Sequence, residues 1–174
     1  AVLSEVPFDL MYGGTVFYPV HQNVIWTLLL GLLGIRLMEA ARAKGKRWLY
    51  VLTCAAVVEL GFALGTLGMV DYYGAGVLTV FAFYFFRERK WWCLLGQLAA
   101  LYWLNVVVLG GQMYPVTLFG REIELCEQGL ALLALVPIWL YRGRQGHHSK
   151  AFQYACYAFY PAHMLVLALL TMIQ

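Results

Sequence analysis

Charge is what this chain has least of: 12% of its 174 residues are Asp, Glu, Lys or Arg, against about 25% in an ordinary soluble domain. It also lacks polar linkers, low-complexity tracts and internal repeats, so the whole of 1–174 reads as a single domain. Its four cysteines, Cys54, Cys93, Cys126 and Cys156, never form a C-x-x-C pair and each lies in an apolar run. That suggests neither a disulfide framework nor a zinc site, and it reads them as small buried hydrophobes. A signal-peptide pattern is missing as well: Ser4 to Asp9 follow Ala1 directly, and a segment preceding Ala1 is expected.

What the chain does have is apolar surface. Hydrophobic residues make up 63% of it and the mean hydropathy is +0.71, more than a water-soluble fold can hide. Six uniformly apolar stretches stand out, at 23–41, 48–69, 72–86, 91–109, 123–141 and 151–173. At about 20 apolar residues per span, the expected fold is all-α: a polytopic transmembrane helical bundle of about six spans in a lipid bilayer. The third stretch reaches only about 22 Å at ~1.5 Å per residue. It is expected to begin below the membrane surface, with Asp71 and Tyr72 in a recess.

The net charge of +3 suggests an acidic partner until the positions are read. Arg42, Lys44, Lys46, Arg47, Arg87, Arg89, Lys90, Arg142, Arg144 and Lys150 are ten of the twelve Lys and Arg, and all fall in three alternate links. One-sided basic loops predict a cytoplasmic face and leave no case for nucleic acid. Trp48, Tyr50, Trp91, Trp92, Tyr141 and Tyr154 mark the same boundary as an aromatic belt. Residues 1–22, the turn at Val70 and Asp71, and the link 110–122 fall on the opposite, non-cytoplasmic side.

Polar groups inside spans cost about 2.5 to 3.5 kcal/mol for a central charge, so each needs a reason. Glu59 lies near mid-depth of the second span. It reads either as a proton acceptor or orienting carboxylate, or as a protonated group packing helices. Gly61-x-x-x-Gly65 beside it favours close helix approach. His163 lies at mid-depth of the last span, one turn from Tyr160 and two residues after the helix-opening Pro161. Arg36 either snorkels and pairs with Glu39 one turn on, or holds a phosphate or carboxylate. Glu5, Asp9, His21, Gln22 and Asn23 gather where the first span enters the membrane; capping explains Asn23 alone. Gln97, Asn105, Glu124, Glu127 and Gln128 fit interhelical hydrogen bonds or a polar cavity. His147 and His148 belong either to a solvated basic loop or to a site for a phosphorylated cofactor.

Four blocks resemble the TraX family: Ser4-Glu5-Val6-Pro7-Phe8-Asp9-Leu10; His21-Gln22-Asn23-Val24 leading into Thr27 to Leu33; Asp71-Tyr72-Tyr73-Gly74-Ala75-Gly76-Val77-Leu78; and Phe159-Tyr160-Pro161-Ala162-His163-Met164-Leu165. They stand in family order and span nearly the whole chain. That family contains the F-pilin N-acetyltransferases of bacterial conjugation and is related to acyltransferase-3 type membrane enzymes. The resemblance implies a multi-pass protein of the bacterial inner membrane. It implies transfer of an acetyl group from acetyl-CoA to an amine or hydroxyl acceptor, with the N-terminus of pilin as the acceptor by analogy. It also implies a further membrane segment, or a second chain, that carries an Asp-His pair and the catalytic base.

On that resemblance the basic residues Arg36, Arg142, Arg144 and Lys150 are expected to hold the phosphates of CoA. His163, Glu59 and Asp71 are expected to line the catalytic passage, and Glu5, Asp9, His21, Asn23, Tyr72 and Tyr160 to meet the acceptor. Two rival readings rest on composition. A small transporter would use Glu59 and His163 as a proton or substrate path, and would show two similar halves. A non-catalytic membrane assembly factor would bind a partner through its small-residue faces.

Overall fold

The computed structural model describes residues 1–118, 120–141, 143, 146 and 149–173. Arg142, Arg144, His147 and His148 therefore lie outside the described residues. The chain forms a membrane-helical bundle whose centre is three closely packed helices: α2 (Val24–Ala43), α3 (Arg47–Leu67) and α4 (Tyr73–Phe85).

Glycines set their spacing. Gly31 and Gly34 of α2, and Gly61 of α3, back onto Val80, Phe81 and Val77 of α4. A Cβ on Gly65 would come within 2.9 Å of the Gly74 Cα and the Tyr73 carbonyl. The Gly61-x-x-x-Gly65 stripe thus brings the α3 and α4 backbones into contact, as small residues do in membrane helices. Met38, Val57, Val70, Val77, Phe81 and Tyr84 fill the space between the three helices. The outward faces are apolar too: Leu32, Leu33, Leu37 and Leu60 are each more than half exposed. A bundle that is apolar outside as well as inside suits lipid rather than water.

Four helices are long and apolar enough to cross a membrane: Val24–Ala43, Arg47–Leu67, Trp91–Leu109 and Lys150–Met172. That corrects the expectation of six. The stretch 72–86 gives a helix of 13 residues, about 20 Å by helical rise. It starts late because Met69, Tyr72 and Tyr73 all have positive φ, which holds the chain in a turn. α4 nevertheless lies alongside α2. Thr27 Oγ1 donates to the Asp71 carbonyl at 2.7 Å, and at the far end Tyr84 Oη donates to Glu39 at 2.6 Å. Both ends of α4 therefore fall within the length of α2; the Asp71 side chain is 26% exposed there, and Tyr72 beside it is 45% exposed.

The stretch 123–141 is not one helix. Its first part belongs to an antiparallel hairpin, β1 (Met113–Leu118) with β2 (Arg121–Cys126), pairing Met113 with Cys126 and Leu118 with Arg121. Glu122-Ile123-Glu124-Leu125 alternates polar and apolar with the period of a strand, and Gly120 at φ +77° makes the turn. Glu124 is thus on an exposed strand, outside any span. A short 3-10 segment, Gln128–Ala134, then leads into α6 (Leu135–Leu140). The preceding helix, α5 (Trp91–Tyr102), continues as a π-helical segment, Trp103–Leu109, and packs beside α4.

Residues 1–22 hold a helix that hydrophobic length alone did not announce, α1 (Val2–Gly13), with Pro7 inside it and Gly14 ending it in the left-handed conformation. α1 lies along α7 (Lys150–Ile173), where Ala168 is buried. Most of α7 is otherwise exposed, including Phe152, Tyr154, Tyr157 and Phe159. Cys156 is exposed as well and Cys54 is half-buried, so the reading of four buried cysteines holds for Cys93 and Cys126.

Candidate active site

The polar residues of the first block and the turn before α4 meet at one end of the bundle. Asn23, fully buried, caps α2: its Oδ1 accepts from the Ile25 amide at 3.0 Å. The same side chain donates through Nδ2 to Glu5 and to the Ala1 carbonyl. Glu5 also accepts the Asn23 backbone amide at 3.3 Å and the Trp26 indole N–H at 2.7 Å. This carboxylate is the hinge between α1 and α2, and it explains why Glu5 and Asn23 occur together. Asp9, 2% exposed, accepts the Tyr18 amide through Oδ2 at 3.0 Å. Its Oδ1 has no partner among the described residues.

His21 stands beside this hinge. The Gln22 amide donates to the Met69 carbonyl at 2.9 Å, and Gln22 and Val70 form a parallel bridge. That pairing carries His21 to Asp71: Nε2 lies 3.3 Å from Oδ1, with the side chains 12% and 26% exposed. The imidazole stacks on Tyr12 at 4.7 Å and on Phe8 at 5.6 Å, and meets the edge of Tyr73 at 6.0 Å. With Nε2–H given to Asp71, Nδ1 keeps its lone pair and has no partner among the described residues. Burial raises the Asp71 carboxyl above its ordinary range, against the pull of His21 and the Tyr72 backbone. The Tyr72 phenol is raised by burial first, then by Asp71 and Glu127.

Three non-glycine residues with positive φ in five positions, Met69, Tyr72 and Tyr73, are backbone strain of the kind that accumulates at functional sites. Here it sets Asp71 against His21 and leaves Tyr72, 45% exposed, on the wall of a cavity in the bundle. Tyr160 of α7 approaches the same place. Its hydroxyl is buried without a hydrogen-bond partner of normal geometry among the described residues, beside the Val24 amide and within electrostatic reach of Asp71 and Glu5.

Glu5, His21, Asn23, Asp71, Tyr72 and Tyr160 are therefore gathered in one region, with Asp9 behind them on α1. The other expected residues are not. His163 bonds through Nδ1 to the Phe159 carbonyl at 3.1 Å and stacks on Phe159 at 5.1 Å. Its link to the cluster is the ring of Tyr160, 5.4 Å away. Glu59 is exposed on the outer face of α3 with no hydrogen bond or ion pair among the described residues. Arg36 is exposed on α2 and does not pair with Glu39. Glu39 is taken instead by Tyr84, by Arg87 at 3.3 Å and by Arg42 at 3.7 Å. Lys150 is exposed at the start of α7.

At the basic end, sequence reasoning missed a second ordered group. The Arg89 guanidinium donates to the Trp139 and Tyr141 carbonyls. The Trp139 indole donates to Gln97 Oε1 at 2.6 Å, and Gln97 Nε2 donates to the Phe86 carbonyl at 2.9 Å. Arg87 and Arg89 line a cavity of about 220 Å³ there. A larger cavity of about 320 Å³ lies between α2, α4, the π-helical segment and α6, with Tyr72 and Gln128 toward one end and Phe83 and Ile138 toward the other.

No curated protein and no solved structure matches the chain. A family model described as TraX protein matches residues 1–171, and this match takes in all four blocks that build the His21–Asp71 site and its Tyr160 neighbour. The chain belongs to the TraX family.

Proposed function

We propose that this protein is an integral-membrane acyltransferase that moves an acetyl group from acetyl-CoA to an amine or hydroxyl acceptor, with His21 as general base and Asp71 orienting it. The observation that carries this reading is the His21–Asp71 pair, recessed and largely shielded from water. A carboxylate on Nε2–H fixes the tautomer that leaves Nδ1 free to take a proton, and it stabilises the imidazolium that forms. The acceptor N–H or O–H gives its proton to Nδ1 as nitrogen or oxygen attacks the thioester carbonyl. As the C–S bond breaks, the imidazolium returns the proton to the departing thiolate. Tyr72 and Tyr160, both hydroxyl donors on this recess, are suited to the developing oxyanion.

The family supports the reaction class, and pilin is the acceptor it suggests; the N-terminal amine of a processed pilin fits a site beside the Glu5 and Asp71 carboxylates. The clustering of basic residues at the opposite end supports a cytoplasmic location for that end in the bacterial plasma membrane. The test is transfer in a lipid nanodisc from acetyl-CoA to a peptide with a free N-terminal amine, read as an acetyl mass increment on the intact peptide. Transfer that His21→Gln abolishes, while the variant keeps its thermal melt, supports the assignment. Transfer at the wild-type rate by His21→Gln refutes it.

A further inference from the structure

The larger cavity has a shape and a wall chemistry that packing alone does not require. At about 320 Å³ it falls in the lower range of small-molecule pockets, about 300 to 1,000 Å³. Its wall follows α4 from Tyr72 through Gly76, Thr79 and Val80 to Phe83, a path of about 16 Å at ~1.5 Å per residue. It is therefore long and narrow. Ile138 lines both this cavity and the cavity beside Arg87 and Arg89, so the two adjoin. At the Ile138 end the slot meets the cavity lined by Arg87, Glu88 and Arg89, and at the other it opens at Tyr72, the neighbour of Asp71.

The polar groups along the wall narrow the class of ligand. Thr27 and Thr79 spend their hydroxyl protons on backbone carbonyls, at 2.7 and 2.9 Å, and so present mainly methyl groups. Asn105, largely buried on the π-helical segment, donates to the Leu101 carbonyl at 2.9 Å, and no donor to its Oδ1 is found among the described residues. The Gln128 amide on the facing 3-10 segment also lines the cavity, without a side-chain partner among the described residues. Two amides with unused capacity in an otherwise apolar slot match an unbranched arm that carries amide groups, and a bare hydrocarbon tail would leave them unsatisfied. π-helical turns recur at functional sites, and here one faces the slot.

We infer that this slot holds the amide-bearing arm of a phosphate-headed thioester, with the phosphates at Arg87 and Arg89 and the thioester delivered at Tyr72. The inference rests on the acyltransferase reading for the identity of its ligand, and it names the donor's path through this chain. The residues at the basic end then act by charge: Arg87 and Arg89 attract the head, with Glu39 and the Trp139 and Tyr141 carbonyls holding the two guanidiniums in place. Binding requires no chemistry, so it can be measured separately from transfer.

The experiment is equilibrium binding of CoA, and separately of adenosine 3′,5′-bisphosphate as the head alone, to the full chain in nanodiscs of neutral lipid. Thr79→Trp and Ala134→Leu fill the slot from opposite walls, and Arg89→Gln removes charge at its mouth. The expected result is a rise of about tenfold or more in the Kd for CoA with either slot-filling variant, and an unchanged Kd for the head alone. Arg89→Gln weakens both. Two walls are tested so that one variant that fails to fold, as judged by its melt, leaves the other. If CoA binds both folded slot variants as tightly as wild type, the slot assignment is overturned while the acyltransferase reading stands. If the slot variants instead lose a co-purified phospholipid, seen by native mass spectrometry, with CoA affinity unchanged, the slot is a lipid site and the inference fails. Slot-dependent CoA binding without acetyl transfer would sink the acyltransferase reading and keep the slot.

Discussion

Asn23→Ala removes the side chain that ties α1 to the bundle. Its Oδ1 caps α2 through Ile25, and an N-cap Asn replaced by Ala costs about 1 kcal/mol. Its Nδ2 is given to the Glu5 carboxylate, and a hydrogen bond to a charged group contributes about 1.5 to 3 kcal/mol. Glu5 keeps the Trp26 indole and the Asn23 backbone amide, so the loss is partial, on the order of 3 kcal/mol in sum. That corresponds to a rise of about a hundredfold in the opening of α1 away from α2. The loss is expected to be local, because the α2–α3–α4 core of Met38, Val77 and Phe81 does not include Asn23. Hydrogen exchange in nanodiscs reads this directly: protection falls in α1 and the first turn of α2, and persists through α3 and α4. Equal loss across α3, or no change in α1, would refute the hinge.

Asp71→Asn separates function from stability. The Asp71 pKa is raised by burial from 3.8, so its favourable contribution is complete below that ordinary value and is lost as pH rises through the raised one. At neutral pH the charged carboxylate is a net cost, and Asn is expected to raise the Tm while abolishing acetyl transfer; a lower Tm contradicts the sign. For the same reason wild-type transfer should lose rate, as pH falls, above the ordinary carboxylate range, which a pH–rate profile at saturating donor would read. Gly65→Leu should prevent assembly of α3 on α4, since the obstacle is the Gly74 and Tyr73 backbone and overpacking costs about 1 to 3 kcal/mol even where side chains can give; normal yield and melt would show that the helices separate cheaply. Tyr84→Phe removes the 2.6 Å donor to Glu39 and is expected to cost about 1 to 2 kcal/mol, read as a lower Tm with donor binding retained.

Helix positions were legible in the sequence wherever long apolar runs met short basic links, as at 23–41, 48–69, 91–109 and 151–173. Where the run was short or interrupted, length misled. Residues 123–126 are apolar enough to join a span, but their alternation with Glu122 and Glu124 is a strand's period, and pairing with Met113–Leu118 decided the outcome. α1 was hidden because Pro7, Glu5 and Asp9 break its apolar face, and its stability comes from lying on α7 and from Glu5. The gathering of Glu5, Asp9 and His21 was visible as an excess of polar groups at one helix start. Their pairing with Asp71 was not, because it depends on strained backbone at Met69, Tyr72 and Tyr73, which no residue type there announces. Glu39 was read toward Arg36 on its own helix; Tyr84 and Arg87, some 45 residues on, compete better because α4 is packed against that face of α2.

The brevity of α4 has an electrical consequence. Asp71 stands at one end of this helix and the Glu39–Arg87 pair at the other, both inside the length of α2. In a bilayer, solvent that follows these two recesses inward would leave a slab of insulator only about 20 Å thick. The membrane potential, worth about 2.3 kcal/mol per elementary charge per 100 mV, would then drop across that slab alone. Charge carried from one recess to the other would then cross nearly the whole of the voltage, while a proton entering toward His21 or an anionic head entering toward Arg87 from its own side would cross almost none, so the energised state of the membrane acts on this protein's chemistry only through charge that passes along α4.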